Sequence, residues 1–223
     1  MPIPAKNAAI KRQSAKMKIY FTLRDWITYG TLEPGERIND QEISDYFEVS
    51  RTPVREALQM LETQKLVVIR PNKATYVSTL EMDNLEKWYL PLAHLHALAA
   101  QLACRKIEDD AIKELRQIDS RIVAFSQRED AASTLQEDVR FHNELLAIAG
   151  NEFITEFSET LMLHIQRIEY LFFKESGTAN SFASHGDLLD ALEARDERRA
   201  GDEMMKNWLT TLNRSYDLMG KSN

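Results

Sequence analysis

The chain is organised around the stretch Val49-Ser50-Arg51-Thr52-Pro53-Val54-Arg55-Glu56-Ala57-Leu58. It predicts the start of a short helix, because Ser50 has an oxygen suited to an N-cap and Pro53 fits only the first turn. Apolar residues recur on one face of that helix, which would pack against a core. The opposite face carries donors suited to base edges and phosphates in a DNA major groove, namely Arg51, Thr52 and Arg55. The alternative is an ordinary surface helix with solvated arginines.

The segments on either side of this stretch predict a winged helix-turn-helix. An amphipathic helix is expected over residues 14–30, and a short helix over residues 41–47 with Asp40 as its N-cap. A tight turn joins the short helix to the helix above, which is the helix-turn-helix arrangement. Residues 66–69 and 74–77 have the pattern of a two-stranded hairpin, or wing. The tip could reach a minor groove or phosphates through Asn72 and Lys73, and an ordinary hairpin tip is the alternative.

Composition and charge are typical of a globular, mainly helical protein with a basic head. Of the 223 residues 43% are hydrophobic, and the formal net charge is −7. Residues 1–77 carry 12 Lys and Arg against 9 Asp and Glu, whereas residues 78–223 carry 16 against 26. A basic head on an acidic body is expected if only the head meets a polyanion. Because Cys104 is the single cysteine and no signal peptide or membrane-spanning run is visible, we expect a cytoplasmic protein without a membrane partner.

Beyond residue 80 the sequence predicts only helices, which would form an all-α bundle. Six are expected, over residues 81–106, 109–128, 131–149, 152–174, 181–194 and 197–219. The buried stripe of the first is predicted to include Leu98, and that of the fourth to include Phe153 and Phe157. The expected domains are a flexible arm at 1–13, a DNA-binding domain at 14–78 and a helical domain at 79–223.

Three residues of the helical part form a candidate metal site. Asp138 and His142 are four residues apart, so both project from one helical face, and His185 lies on the predicted penultimate helix. A carboxylate and imidazoles that converge inside a bundle suit a divalent ion such as Zn, Mn, Ni or Fe. Asp–His pairs at this spacing are more often plain surface pairs, so a metal-free pocket is the alternative.

Residues 14–77 resemble the winged helix-turn-helix of GntR-type bacterial transcription regulators. The matching pieces are Gly30-x-Leu32-x-Pro34-Gly35, Glu42-Ile43-Ser44, Val49 to Leu58, Leu61 and Leu66-Val67. The resemblance implies a homodimer that binds double-stranded DNA at a short palindromic operator. It also implies that Arg51, Thr52 and Arg55 contact DNA with support from Gln41, and the full set of expected contacts adds Ser50, Asn72 and Lys73. Lys65 and Ala74 depart from the family, which usually has glycine at both positions.

The helical part resembles the FCD ligand-binding domain of the FadR-like GntR branch. The match covers Asp138-x-x-Phe141-His142-x-x-Leu145, Gly150-Asn151 and the block from His185 to Asp196. In metal-binding members the ligands are an Asp, the His four residues later, the His of the next matched block and a final His 22 residues on. The resemblance therefore implies a metal held by Asp138, His142 and His185. Asn207 stands at the fourth position, where its amide oxygen is a weaker ligand or could hold a water.

The expected effector is a small organic acid that enters the bundle. His164, Arg167 and Asn207 are candidate effector-binding residues, because a cationic side chain can bind a carboxylate through charge-assisted hydrogen bonds. The alternative is that His164 and Arg167 lie on the helix surface, or in the core with their hydrogen bonds made inside the protein. His94 and His96 have no matching ligand positions in the family.

The sequence thus predicts a ligand-responsive transcription regulator, expected to be a repressor relieved by its effector, and not an enzyme. One alternative is a metal-dependent enzyme with an accessory DNA-binding head, since Asp138, His142 and His185 could activate a water. No nucleophile–base pair accompanies them, which disfavours this alternative. A second alternative is a regulator whose metal is purely structural.

Overall fold

The computed structural model describes residues 10–70, 74–80, 85–176 and 184–221 of the chain. The chain divides into two compact units, Met1–Leu80 and Glu81–Asn223. The described ranges contain nine helices and three short strands, so the predicted mainly α fold class is confirmed. No helix in these ranges combines the length and the apolar character that crossing a membrane would require.

The N-terminal unit is a three-helix domain with a small antiparallel sheet. Its elements are α1 Ile10–Thr28, β1 Arg37–Ile38, α2 Asp40–Tyr46, α3 Arg51–Thr63, β2 Val67–Arg70 and β3 Ala74–Val77. Helix α1 packs against α3, and fully buried apolar side chains close this core, including Leu23, Ile27, Leu61 and Leu66. The unit therefore has the predicted winged helix-turn-helix architecture.

The wing has three strands rather than the two that the sequence predicted. The strand order is β1-β3-β2, and both pairings are antiparallel. Arg37 of β1 lies opposite Tyr76 of β3. A strand of two residues is too short to show an alternation of apolar and polar residues, so its sequence does not identify it. It is a strand because it pairs with β3.

Local backbone geometry corrects two predicted helix starts. Asn39, not Asp40, caps α2, because its side-chain Oδ1 accepts a hydrogen bond from the backbone N–H of Gln41 at 3.0 Å. Ser50 occupies the N-cap position of α3 as predicted, but its side chain makes no capping hydrogen bond. Helix α1 begins at Ile10, inside the predicted arm, and residues 1–9 lie outside the described part of the chain.

The C-terminal unit is the predicted bundle, with six helices in its described ranges. These are α4 Glu86–Cys104, α5 Asp109–Gln127, α6 Ala131–Ala149, α7 Glu152–Ser176, α8 Gly186–Glu193 and α9 Glu197–Lys221. Helix α4 packs against α6, α7 and α9. Gly201 permits the close approach of α9 to α4, because a Cβ there would lie 2.5 Å from Gln101 Nε2.

The buried faces of α4 and α7 differ from the predicted ones. Leu98, predicted to be inward, is 45% exposed, and Phe153 and Phe157 are 60% and 61% exposed. Helix α4 is rich in Leu and Ala on all sides, so its periodicity does not fix which face is buried. On both helices the buried face instead includes polar side chains, namely His96, His164, Arg167 and Glu169.

Candidate nucleic-acid interface and metal centre

Helix α3 presents its leading end to solvent in the helix-turn-helix. Glu48 takes a left-handed backbone conformation, φ 53°, in the turn between α2 and α3. The first helical turn that follows exposes the side chains of Arg51, Thr52 and Arg55, while Val54 and Leu58 are buried beneath it. These exposed donors stand at the position from which a recognition helix reads a major groove.

Two hydrogen bonds tie this end of α3 to α2. Arg51 Nε donates to Gln41 Oε1 at 2.6 Å, and Arg55 Nε donates to Asp40 Oδ2 at 3.0 Å. The Arg55 side chain is 66% exposed, so solvent screens this ion pair and it adds little stability. Both guanidinium groups are thus oriented and remain accessible to DNA.

A surface groove between α3 and the sheet adds arginines that the sequence analysis did not select. Arg37, Arg55, Gln59 and Arg70 all border it. Arg37 is placed there by β1, and the Arg70 guanidinium lies 5.0 Å from the centre of the Tyr76 ring. Their basic charge was visible in the sequence, but the position of Arg37 at this groove depends on the pairing of β1 with β3. Predicted wing contacts Asn72 and Lys73 lie outside the described residues.

The predicted metal residues of the C-terminal unit converge in its interior. One ligand atom each of Asp138, His142 and His185 lies within 4.8 Å of the others, and all three residues are buried. His142 Nε2 is 3.7 Å from Asp138 Oδ2, and His185 Nε2 is 3.5 Å from Asp138 Oδ1. Asp138 and His142 project from one face of α6. His185 was predicted to lie on the penultimate helix, but it is the N-cap residue that precedes α8.

Asp119 of α5 orients His185 and was missed by the sequence analysis. Its Oδ1 accepts hydrogen bonds from His185 Nδ1 at 3.0 Å and from the His185 backbone N–H at 2.9 Å. A carboxylate only accepts, so Nδ1 carries a proton, and Nε2 lies 3.5 Å from Asp138 Oδ1, where a neutral ring can bind a cation. No local pattern links two residues that are 66 positions apart, which is why this pair was not visible in the sequence.

Electrostatics in the cluster are dominated by burial. Burial raises the pKa of Asp138 to about 6, although His185 acts in the opposite direction. Burial also lowers the pKa of His142 well below its ordinary value. For Asp119, burial acts to raise the pKa, but hydrogen bonds from His185 and Ser184 outweigh it and leave the pKa below its usual range.

These three residues fit a divalent cation. Ligand bonds of about 2.1 Å in a tetrahedral site separate the ligand atoms by roughly 3.4 Å, close to the two distances that involve Asp138. Among the described residues His185 Nε2 is buried without a hydrogen-bond partner, and it faces a carboxylate oxygen of Asp138 at 3.5 Å. A cation between them would satisfy both acceptors. The Asp119–His185 pair has the form of the carboxylate–histidine support that usually stands behind a metal ligand.

Comparison with known proteins places both units in one family. The family profile described as "Bacterial regulatory proteins, gntR family" matches residues 15–77, and the "FCD domain" profile matches residues 92–208. The chain belongs to the GntR family of bacterial transcription regulators. Its relatives and its fold are those of transcription regulators and not of enzymes.

Individual relatives are similar to this GntR regulator over much of its length. It is 28% identical to the HTH-type transcriptional repressor RspR of Escherichia coli over 186 residues, which cover 82% of this chain and 81% of the relative. It is 34% identical to the Nta operon transcriptional regulator of Aminobacter aminovorans over 61% of this chain and 63% of that protein. The solved structure of Escherichia coli McbR/YncC superposes with a TM-score of 0.80 at 18% identity, covering 91% of this chain and 97% of that one.

A histidine of α4, His96, lies beside the cluster of Asp138, His142 and His185 in this regulator. His96 is buried, and its ring centre lies 5.2 Å from that of His142. Trp208 of α9 stacks on His142 at 4.6 Å and donates its Nε1–H to His96 Nδ1 at 3.2 Å. Burial lowers the pKa of His96 to about 3, so this ring is neutral. His96 matches no ligand position of the family, so no sequence signal placed it beside the cluster.

The residues predicted to bind an effector occupy different environments. His164 is buried and stacks on Trp88 with ring centres 3.9 Å apart. Arg167 is fully buried, and burial lowers its pKa to about 10. Asn207 is half-buried on α9 directly before Trp208. Their role in effector binding stays a prediction.

Proposed function

We propose that this GntR regulator is a homodimeric repressor that releases a palindromic operator when a small organic acid binds at a metal ion in its FCD domain. The observation that carries the proposal is the buried cluster of Asp138, His142 and His185 with Asp119 behind it. Two imidazoles and a carboxylate converge there, and a second carboxylate supports His185 from behind, which is the arrangement of metal ligands with an outer-shell partner. The divalent ion would be Zn, Mn, Ni or Fe, since nitrogen and oxygen ligands suit all four.

The metal would give the domain an anchor for an acid. Three protein ligands leave coordination positions that water or a carboxylate oxygen can fill. A divalent cation offers an anionic ligand a direct bond inside the domain, where burial strengthens their attraction. His164, Arg167 and Asn207 remain the proposed further contacts of that ligand.

DNA binding in this proposal uses the exposed end of α3 and the groove beside it. Arg51, Thr52 and Arg55 would read bases or phosphates, with Gln41 and Ser50 beside them. The wing residues Asn72 and Lys73 would reach the adjacent backbone. Two copies related by a two-fold axis would place two such helices in successive turns of the duplex, which matches a palindromic operator.

Exposed apolar side chains on the C-terminal unit support a second copy of this chain as the partner. Leu102 of α4 and Phe153 of α7 border one shallow surface depression. Leu98 and Phe157 lie one helical turn beyond them on the same two helices and are 45% and 61% exposed. Large exposed apolar side chains that gather on one face mark an interaction site. We call these four residues the α4–α7 patch.

Coupling between the acid and DNA requires only that the acid binds one state of the dimer better than the other. If the acid binds the DNA-free state more tightly, mass action shifts the population toward that state. Linkage then requires that operator DNA weakens acid binding by the same factor. For a repressor that leaves its operator when the acid binds, the acid and the operator therefore weaken each other's binding equally.

Elemental analysis of the protein as purified tests the metal. We expect one divalent ion per chain in the parent and a large loss in His185→Ala, because that variant removes one ligand. His94→Ala provides the matched control, since His94 is an exposed histidine of α4 outside the cluster. Equal metal content in the parent and in His185→Ala would remove the metal from the proposal.

A purely structural metal is the second candidate, because the cluster links three separate helices. Asp119, Asp138 and the N-cap residue of α8 tie α5, α6 and α8 together. Chelation would then lower the melting temperature, while small acids would leave operator binding unchanged. A regulatory metal predicts that an acid releases the operator only from the metal-loaded protein. A purely structural metal predicts no release by the acid. The operator for the assay is a duplex that the purified protein selects from a random pool.

A further inference from the structure

The hydrogen bond between Trp208 and His96 fixes where the His96 proton lies. An indole Nε1–H only donates, so His96 Nδ1 is the acceptor in their 3.2 Å contact. The neutral ring of His96 therefore carries its proton on Nε2. Both side chains are buried, Trp208 and His96 each at 1% exposure, and packing holds this arrangement in place.

The resulting Nε2–H donor has no acceptor within the described part of the chain. His96 Nε2 is buried and makes no hydrogen bond, although buried donors are almost always paired. The ring lies beside the metal cluster, with its centre 5.2 Å from that of His142. Trp208 contacts both rings, so one residue positions a metal ligand and a neighbouring donor together.

We propose that the His96 Nε2–H group donates a hydrogen bond to an oxygen of the small acid that is held at the Asp138–His142–His185 cation. This inference rests on the proposed metal-dependent function and names one residue that would recognise the ligand. It assigns Trp208 as a positioning residue that keeps His96 in the donating form.

The same hydrogen bond disfavours His96 as the ligand that replaces the missing fourth histidine. A neutral histidine that binds a metal through Nε2 carries its proton on Nδ1. That proton would then point at the Trp208 N–H, and two donors would face each other. His96 therefore contacts the bound acid and leaves the cation to Asp138, His142 and His185.

The bonding partners at the site define the class of acid that it takes. The cation offers an open coordination position, and His96 adds a neutral N–H donor. One carboxylate satisfies this arrangement, with one oxygen on the cation and the other on the His96 N–H. The ligand is therefore a small acid that presents a single carboxylate to the site.

The test uses the full-length protein loaded with Co²⁺, whose visible spectrum reports changes at the metal, and acetate as the probe. We expect His96→Phe to bind Co²⁺ with the parent stoichiometry and to bind acetate about tenfold more weakly, the effect of one lost hydrogen bond. His96→Gln supplies an amide N–H at a similar distance and can still accept from Trp208. We expect its acetate affinity to stay within about threefold of the parent.

Each outcome bears on one of two claims. If the parent binds no Co²⁺, the proposed metal-dependent function fails and this inference fails with it. If the parent binds Co²⁺ but no acetate, binding of an acid at the metal fails and the role of His96 fails with it. If the parent binds acetate and His96→Phe keeps the same affinity, only the role of His96 is overturned. Loss of Co²⁺ from His96→Phe would make His96 a ligand and would equally overturn the inference.

Proton placement can be measured in the unaltered protein, which covers the case of variants that do not fold. Long-range ¹H–¹⁵N correlation spectra distinguish a protonated from an unprotonated ring nitrogen. We expect His96 to carry its proton on Nε2 and to have a free Nδ1 lone pair. A proton on Nδ1 would overturn the assignment.

Discussion

At the scale of single residues, Glu169 illustrates how burial decides a protonation state. It lies on the buried face of α7 and accepts a hydrogen bond from the Tyr89 hydroxyl at 3.2 Å. The same hydroxyl lies 3.2 Å from Ser215 Oγ. Burial raises the pKa of Glu169 well above its ordinary value, and the negative charge of Asp138 adds to the effect. The folded protein therefore holds this side chain in its neutral form at pH values where the unfolded chain would ionise it.

Glu169→Gln should make the protein less sensitive to alkaline pH. Above about pH 4.5 the folded state retains a proton that the unfolded carboxyl group releases, so the free energy of unfolding falls as pH rises toward the pKa of the folded state. Glutamine has no such proton. We expect the melting temperature of the variant to exceed that of the parent by a margin that grows between pH 5 and pH 8, measured by thermal melts. Glu159→Gln, an exposed position on the same helix, should show no such trend. A margin for Glu169→Gln that stays constant over this range would contradict the prediction.

Arg55→Ala tests the recognition helix at the same scale. The Arg55 guanidinium is exposed and oriented by Asp40, so its loss should cost about 1–3 kcal/mol of operator affinity if it reads a base. Folding should be unaffected, because the exposed ion pair contributes little. Fluorescence anisotropy on the selected operator measures the change, and Arg198→Ala on α9 serves as the exposed control. An affinity equal to that of the parent would count against α3 as the reading element.

At the scale of elements, the end of α3 carries a strained residue. Lys65 takes φ 59°, the left-handed region, at the position where the family usually has glycine. The strain is retained because the turn is held by two backbone hydrogen bonds, Lys65 N–H to Glu62 and Leu66 N–H to Leu61, both at 2.9 Å. The second departure, Ala74, has no such strain, since it pairs with Arg70 in the wing.

Lys65→Gly should therefore stabilise the N-terminal unit. Relief of the left-handed strain is worth about 1–2 kcal/mol, and the greater freedom of glycine in the unfolded chain offsets about 0.5–1 kcal/mol of it. We expect a net gain of about 0.5–1 kcal/mol in the free energy of unfolding, measured by urea denaturation. Lys65→Ala removes the same charge but keeps a Cβ, so it should show no such gain. Equal stability of the two variants would show that the gain does not come from backbone strain.

The sequence predicted the elements whose ends are set by the backbone preferences of nearby residues. It missed the features that depend on contacts between residues far apart in the chain. Gly30, Pro53 and Gly150 sit at helix ends where their backbone preferences act locally, so these boundaries were close. Strand β1 exists only because β3 lies beside it, and His185 is directed by Asp119 across 66 positions. The faces of α4 and α7 were misassigned because apolar residues occur around most of α4 and because buried polar groups such as Glu169 break the expected stripe on α7.

At the scale of the whole molecule, charge separates the two units in the way their roles require. The basic excess lies in residues 1–77 and the acidic excess in residues 78–223. DNA attracts the first and repels the second, so binding depends on a limited number of phosphate contacts. We expect the logarithm of operator affinity to fall linearly with the logarithm of salt concentration, measured by anisotropy. Arg37→Ala should reduce the slope by about 1 if Arg37 meets one phosphate. An unchanged slope would remove Arg37 from the interface.

Assembly of two copies is the remaining property of the whole molecule, and the α4–α7 patch gives it a test. Phe157→Glu places a charge in the patch, where a two-fold interface would bury two copies of it. Because Phe157 is 61% exposed in the single chain, the substitution should leave folding intact and shift the protein from dimer to monomer in sedimentation experiments. Operator affinity should then fall to that of a single half-site. Val123→Glu on α5 is the control, since it adds the same charge at an exposed apolar position outside the patch. A Phe157→Glu protein that remains dimeric would place the interface elsewhere.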